Sequence, residues 1–218
     1  MPVRPSNAAS LILFRRAKDG PEILMGRRRP KAAFIPDAFV FPGGRLDEAD
    51  AKVMPGNVLT PHAREDLQRA GGCSAALAGA LATAAIRETW EETGLHLASP
   101  GDPGPAAPET WCPWRERGIA PDHSRLSYLG RAITPTQSPI RFHARFFLAE
   151  AAGDEGNLGG SGELLDLAWF SIEAALRLPI IDVTEFMLAS VRERIAGREE
   201  AGIPLFAYRG GRPRPRFL

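Results

Sequence analysis

Glu88, Glu91 and Glu92 crowd into the stretch Arg87-Glu88-Thr89-Trp90-Glu91-Glu92-Thr93-Gly94. At 100° per residue, the three carboxylates fall in an arc of roughly 100° on one side of a helix. Like charges at i,i+3 and i,i+4 cost about 0.2–0.5 kcal/mol each. A cation relieves that cost, and hard divalent ions such as Mg2+ prefer carboxylate oxygens completed by water and substrate phosphates. The stretch therefore points to a metal-bearing helix face with phosphate chemistry. Glutamates on a helix are more often a solvated face, which is the reading given to Glu116 and Glu193.

The helix that must carry these residues runs from Ser74 to Thr93. It is rich in Ala and Leu, has no internal Pro and stops at Gly94, a good residue for the left-handed position that ends a helix. Leu77, Leu81 and Ala84 lie on the glutamate side, so the acidic line emerges from a packed one. Charge buried without a partner is costly, which strengthens the case for a cation. Gly79 weakens the helix by about 1 kcal/mol relative to Ala. Strands are expected at 8–14 and 22–26, joined by a hairpin at Asp19-Gly20. Further strands are expected at 38–41, 125–134, 140–150 and 163–170, and helices at 61–69, 110–117, 171–177 and 182–196. In the strand 140–150, Phe142, Ala144, Phe146 and Leu148 alternate with Arg141, His143, Arg145 and Phe147. A C-terminal tail is set at 205–218, and its basic, Pro-containing part from Arg209 to Leu218 is expected to be poorly ordered.

Length and composition set the frame. The chain has 218 residues, 44% of them hydrophobic, with a formal net charge of +1. That suits one domain spanning 1–218 and gives no global field for nucleic acid or membrane. Two cysteines, Cys73 and Cys112, make neither a disulfide framework nor a Cys-rich zinc site. They are expected as reduced thiols in a soluble cytoplasmic protein.

Phe41-Pro42-Gly43-Gly44 followed by Arg87-Glu88-Thr89-Trp90-Glu91-Glu92-Thr93-Gly94-Leu95 resembles the Nudix hydrolase family. The family signature is G-x5-E-x7-R-E-U-x-E-E-x-G-U, with U a bulky apolar residue. Thr89 is a mild departure at U. A larger one is the spacing, because Gly44 lies 43 residues before Arg87 (87 − 44), so about 29 residues, placed at 45–72, are inserted. The position eight before the Arg, usually Glu, is Gly79, and Asp47 or Glu48 could substitute only if the insert folds back. An insertion after a start such as FPGGRLDEAD resembles the subgroup of CoA and acyl-CoA diphosphatases. The CoA motif upstream is only roughly echoed by Leu24-Met25-Gly26-Arg27-Arg28, with Asp37 where that motif has Gly.

The resemblance implies an α/β fold, an α/β/α sandwich with a mixed β-sheet. It implies hydrolysis of a pyrophosphate linkage in a nucleoside diphosphate derivative with Mg2+ or Mn2+. Glu88, Glu91, Glu92 and the backbone of Gly44 would bind metal, and Arg87 would orient a glutamate of the set. The general base would be a glutamate of the helix such as Glu88, or a downstream acid, with Glu163 ahead of Glu155. Arg27, Arg28, Arg141 and Arg145 are candidates for substrate binding, although a solvent-facing sheet surface is an equal reading for the last two. The expected partner is a small nucleotide substrate, with CoA or acyl-CoA leading and NADH or ADP-ribose behind. Neither nucleic acid nor membrane is expected, and a homodimer is the family's common assembly. A catalytically silent nucleotide sensor is the competing class, kept open by Gly79.

Overall fold

A computed structural model describes residues 3–153, 155–198 and 202–218. The chain builds one large mixed sheet between two helical layers. In sequence order the strands of that sheet begin with β1 (Ser6–Ala17), β2 (Gly20–Arg28), β3 (Phe39–Val40) and β4 (Gly43–Arg45). A short separate ladder follows, β5 (Ala98–Pro100) with β6 (Ile119–Pro121). The sheet resumes with β7 (Ser127–Ile133), β8 (Phe142–Glu150), β9 (Leu164–Ser171), β10 (Pro204–Arg209) and β11 (Arg212–Phe217). The strands line up as β11-β10-β7-β8-β1-β2-β3, with β4 added on β1 and β9 on β2. β1 runs parallel to β8, and β10 parallel to β7, while the other pairs are antiparallel.

Side-chain alternation along the central strands divides the core in two. Leu11, Leu13, Leu24 and Phe147 face one layer, with helices α1 (Pro61–Arg69), α2 (Ala75–Thr93) and α3 (Cys112–Glu116). Ile12, Phe14, Ile23, Met25, Phe146 and Leu148 face the other, with α4 (Ile172–Ala175) and α5 (Asp182–Ile195). This is the expected α/β/α sandwich. No helix among the described residues is long and apolar enough to cross a membrane. Cys73 and Cys112 form no disulfide.

The acidic helix begins and ends as its sequence dictates. The Ser74 side chain accepts from the Leu77 N–H at 3.3 Å, and Gly94 closes the helix at φ +76°. Its Ala-rich body lets it settle close against β1, with Ala78, Ala82, Ala85 and Ile86 all fully buried.

The chain beyond residue 204 corrects the expectation of a poorly ordered tail. It forms the hairpin β10–β11 around Gly210-Gly211, both at positive φ. Leu205 and Phe206 are buried, and Phe186 of α5 packs against both Phe206 and Phe217. Ile203 and Leu218 exchange both backbone hydrogen bonds, which puts Pro213 and Pro215 at alternate positions whose nitrogens face the free edge. The prolines therefore cost no ladder hydrogen bond, and they protect the edge from further pairing.

Candidate functional site

Arg87 is the hub of the acidic helix. Its Nε and Nη2 donate to the two oxygens of Asp50 at 2.8 and 3.1 Å, and Nη1 donates to Glu88 at 2.8 Å and Glu91 at 3.0 Å. Nη2 also donates to the Arg45 carbonyl at 3.1 Å. The Arg87 side chain is 13% exposed and that of Asp50 only 1%. Burial opposes the charge on Arg87, but Asp50, Glu88 and Glu91 outweigh it and raise the guanidinium above its ordinary pKa. One rigid fork thus fixes two of the three helix glutamates.

Asp50 is the site residue that the sequence reading missed. Neither Asp47 nor Glu48 takes the vacant acid role. Asp47 instead caps the 3-10 turn Glu48–Lys52 in a capping box with Asp50. That turn packs on α2, so the start of the insert does fold back. Counting from the glycine instead of from Arg87, Asp50 is the sixth residue after Gly44, the acid position of the signature. Gly79, by contrast, sits where an added Cβ would meet nothing within 4 Å.

Glu92 is held differently. Its Oε2 accepts from the Gly43 N–H at 2.9 Å, and the residue is only 3% exposed. Burial pushes its carboxyl up to about 8; the Gly43 N–H opposes the shift, and the like charges of Glu88 and Glu163 add to it. Burial also raises Glu88, against the pull of Arg87 and with Glu91 and Glu163 adding. Gly44 lies so close to Glu88 that a Cβ there would fall 2.4 Å from its carboxyl carbon. Only glycine lets β4 pass over the carboxylates at this distance.

The remaining predicted residues divide into those near this cluster and those away from it. Glu163 is exposed, its charge acts on both Glu88 and Glu92, and it lines a cavity with Arg28, Arg29, Lys31 and Ser161. Arg28 lines that cavity and a second one, and its buried Nε has no hydrogen-bond partner. Arg27 instead pairs with Asp166 at 2.7 Å and Asp37 at 3.0 Å. Glu155 is buried against Arg125 and accepts from the Ala152 and Gly153 N–H groups, which makes it a loop brace.

The arginines of β8 are corrected. Arg145 is 2% exposed and bonded to Asn7, the Gly71 carbonyl and the His143 carbonyl. It lies with Phe147 on the helical side of α1 and α2, beneath the turn that joins them, and does not reach the cavities. Arg141 is spent on the backbone carbonyls of Thr134 and Val3. The cavity side of β8 belongs to Phe142, Ala144 and Phe146. The alternation was legible in the sequence, but which of its two faces lines the cavity was not.

Among the described residues no group of three His, Cys, Asp or Glu side chains closes a metal shell by itself. An all-protein cage therefore does not fit. A Mg2+-type site does, since such an ion takes one or two carboxylates and completes its octahedron with water and substrate phosphate. Glu88 and Glu92, both burdened by burial, are the donors such an ion would relieve.

No family model matches the chain, and no curated protein matches it. Among solved structures it is similar to a Nudix hydrolase from Alicyclobacillus acidocaldarius, at 28% identity over 86% of this chain and 90% of that one, with a TM-score of 0.65. It also shares its fold with the Nudix domain of Shewanella oneidensis NrtR, solved in complex with ADP ribose, at 12% identity over 88% and 90% of the two chains and a TM-score of 0.54. The chain thus shares the fold of these Nudix hydrolases, and its glycine turn and acidic helix are the features that resemble the family signature.

Proposed function

We propose that the chain is a divalent-metal-dependent hydrolase that cleaves the pyrophosphate linkage of a nucleoside diphosphate derivative, with CoA or acyl-CoA as leading substrate. The observation that carries this reading is the Arg87 fork, which aligns Glu88 and Glu91 while Glu92 is tied to the Gly43 N–H. The lean to CoA rests on the insertion after FPGGRLDEAD, as in the diphosphatases the sequence resembles. The sensor reading drew its support from the vacant acid position at 79, and Asp50 in contact with Arg87 removes that support.

Glu88 and Glu92, with Glu91 and the Gly44 carbonyl beside them, would hold Mg2+ or Mn2+. Such an ion would supply neutralisation of phosphate charge and a lowered pKa for a coordinated water. The chain's own residues do the positioning. Asp50 fixes Arg87, Arg87 holds Glu88 and Glu91, and Glu88 lies against Gly44. Arg28, with an unpartnered donor at the seam of two cavities, binds the phosphate oxygens. Glu163 takes the proton of the attacking water. The water oxygen forms the new P–O bond, the bridging P–O bond breaks, and the leaving phosphate carries away the electron pair. The electrostatic groups are in place before the reaction starts, which is where most of such catalysis originates.

A panel of CoA, acyl-CoA, NADH and ADP-ribose with Mg2+ or Mn2+, scored for phosphate-bearing products, tests the reading. Cleavage of CoA to a phosphopantetheine product and 3′-phospho-ADP supports it in full. Cleavage of NADH or ADP-ribose alone keeps the chemistry and overturns the substrate. Tight nucleotide binding with no turnover on any member would establish the sensor instead.

A further inference from the structure

Two cavities of opposite character meet at Arg28. The first, of about 330 Å3, is walled by Phe34, Phe41, Phe142, Phe146, Val183 and Phe206, and it opens on Gly43 and Gly44. Its charged lining residues are Arg28 and Asp182, and both Asp182 oxygens accept from the Tyr208 hydroxyl at 2.8 Å. Away from Arg28 its lining offers no cation, so a phosphate placed among the phenylalanines would lose its hydration without a charged partner. An apolar group placed there gains roughly 25 cal/mol for each Å2 removed from water.

The second cavity, of about 410 Å3, is lined by Arg28, Arg29, Lys31, Ala32, Ser161 and Glu163. Three cations face one carboxylate. Arg29 Nε donates to the Gly162 carbonyl at 2.7 Å, which moors its guanidinium to the loop that carries Glu163. Lys31 is exposed and makes no ion pair among the described residues. This cavity suits an anion and repays little for an apolar group.

We infer that the substrate lies across Arg28, with an uncharged apolar end in the Phe-lined cavity and an additional phosphate, outside the scissile linkage, against Arg29 and Lys31. The inference rests on the proposed pyrophosphate chemistry but not on CoA as such. It makes Arg29 and Lys31 specificity residues and gives the apolar cavity the part of the substrate that carries no charge.

Calorimetry with adenosine 3′,5′-bisphosphate and AMP tests the phosphate subsite without turnover. The wild-type protein should bind the bisphosphate about tenfold more tightly, and the ratio should fall to about two in the double variant Arg29→Gln, Lys31→Gln. Lys31→Arg should restore much of it. Equal binding of the two nucleotides by the wild type, or a ratio that survives in the double variant, overturns the subsite. The ratio of kcat/KM for CoA over dephospho-CoA should follow the same pattern. If CoA is not cleaved while another pyrophosphate compound is, the substrate reading fails and calorimetry still decides the subsite. Val183→Asp should raise KM for CoA several-fold with that ratio unchanged, whereas an unaltered KM would remove the apolar end from this cavity.

Discussion

At the scale of single residues, the site depends on one arginine held from both sides. Asp50 engages two nitrogens of Arg87, and Glu88 and Glu91 share a third. Removing Asp50 leaves a largely buried guanidinium free to swing, and the two glutamates with it. Asp50→Ala is therefore expected to lower kcat by about 10- to 100-fold, the usual cost of losing a partner that orients a ligand. Asp50→Glu, which keeps the charge, should recover part of the loss; wild-type kcat in Asp50→Ala would show that Arg87 needs no such brace. Glu163 is the proposed base. As the base it should give a Glu163→Gln variant with kcat reduced about 100-fold or more and KM little changed, measured on whichever substrate the panel identifies. The glutamate triplet and its arginine were legible because their spacing is strictly local. Asp50 was not, because 36 residues separate it from Arg87 (87 − 50 − 1) and only the count from Gly44 reveals its register.

At the scale of elements, α2 is a helix tuned for close approach. Its alanines let it lie against β1 while Ser74 and Gly94 set its ends. Gly79 contributes nothing to that packing, since a Cβ there is unopposed. Gly79→Ala should stabilise the protein by about 0.5–1 kcal/mol and raise Tm by roughly 1–4 °C. Activity should be unchanged, because the acid position belongs to Asp50; a lower Tm would show that Gly79 serves a packing role. The strands were legible from alternation and turn residues: β1 and β2 cover 8–14 and 22–26, and β7, β8 and β9 overlap most of 125–134, 140–150 and 163–170. The final hairpin was not. Arg-Pro-Arg-Pro reads as a solvated tail by composition, and only the pairing of Pro213 and Pro215 in non-bonded positions shows why an edge strand accepts it. Phe206 and Phe217, which anchor that strand on α5, carry no local signal that their partner is Phe186.

At the scale of the whole molecule, the two helical layers have separate tasks. The layer of α1, α2 and α3 presents carboxylates at the glycine turn, and the layer of α4 and α5 closes the apolar cavity. Between α2 and the loop before β7, His123 is buried beside Thr83, 3.1 Å from its hydroxyl. Burial lowers its pKa to about 4, with Asp122 opposing the shift. The unfolded chain therefore takes up this proton first as pH falls. The stability this neutral histidine supplies is present above pH 6.5 and is lost progressively toward pH 4, in all roughly 3 kcal/mol. His143, pushed down to about 3 by burial and by Arg145 and Arg131, acts in the same direction. His123→Gln should flatten Tm against pH between 6.5 and 4, as read by thermal unfolding; an unchanged slope would relieve His123 of this role.

On the proposed function, the carboxylates of α2 drive divalent-metal-dependent cleavage of a pyrophosphate linkage. The most direct measurement is steady-state turnover of the substrate that the panel selects, with Mg2+, with excess chelator, and in Glu92→Gln. Turnover with Mg2+, none with chelator and a fall of about 100-fold or more in the variant are expected. Wild-type rates in Glu92→Gln, or turnover indifferent to the chelator, would contradict the proposed function.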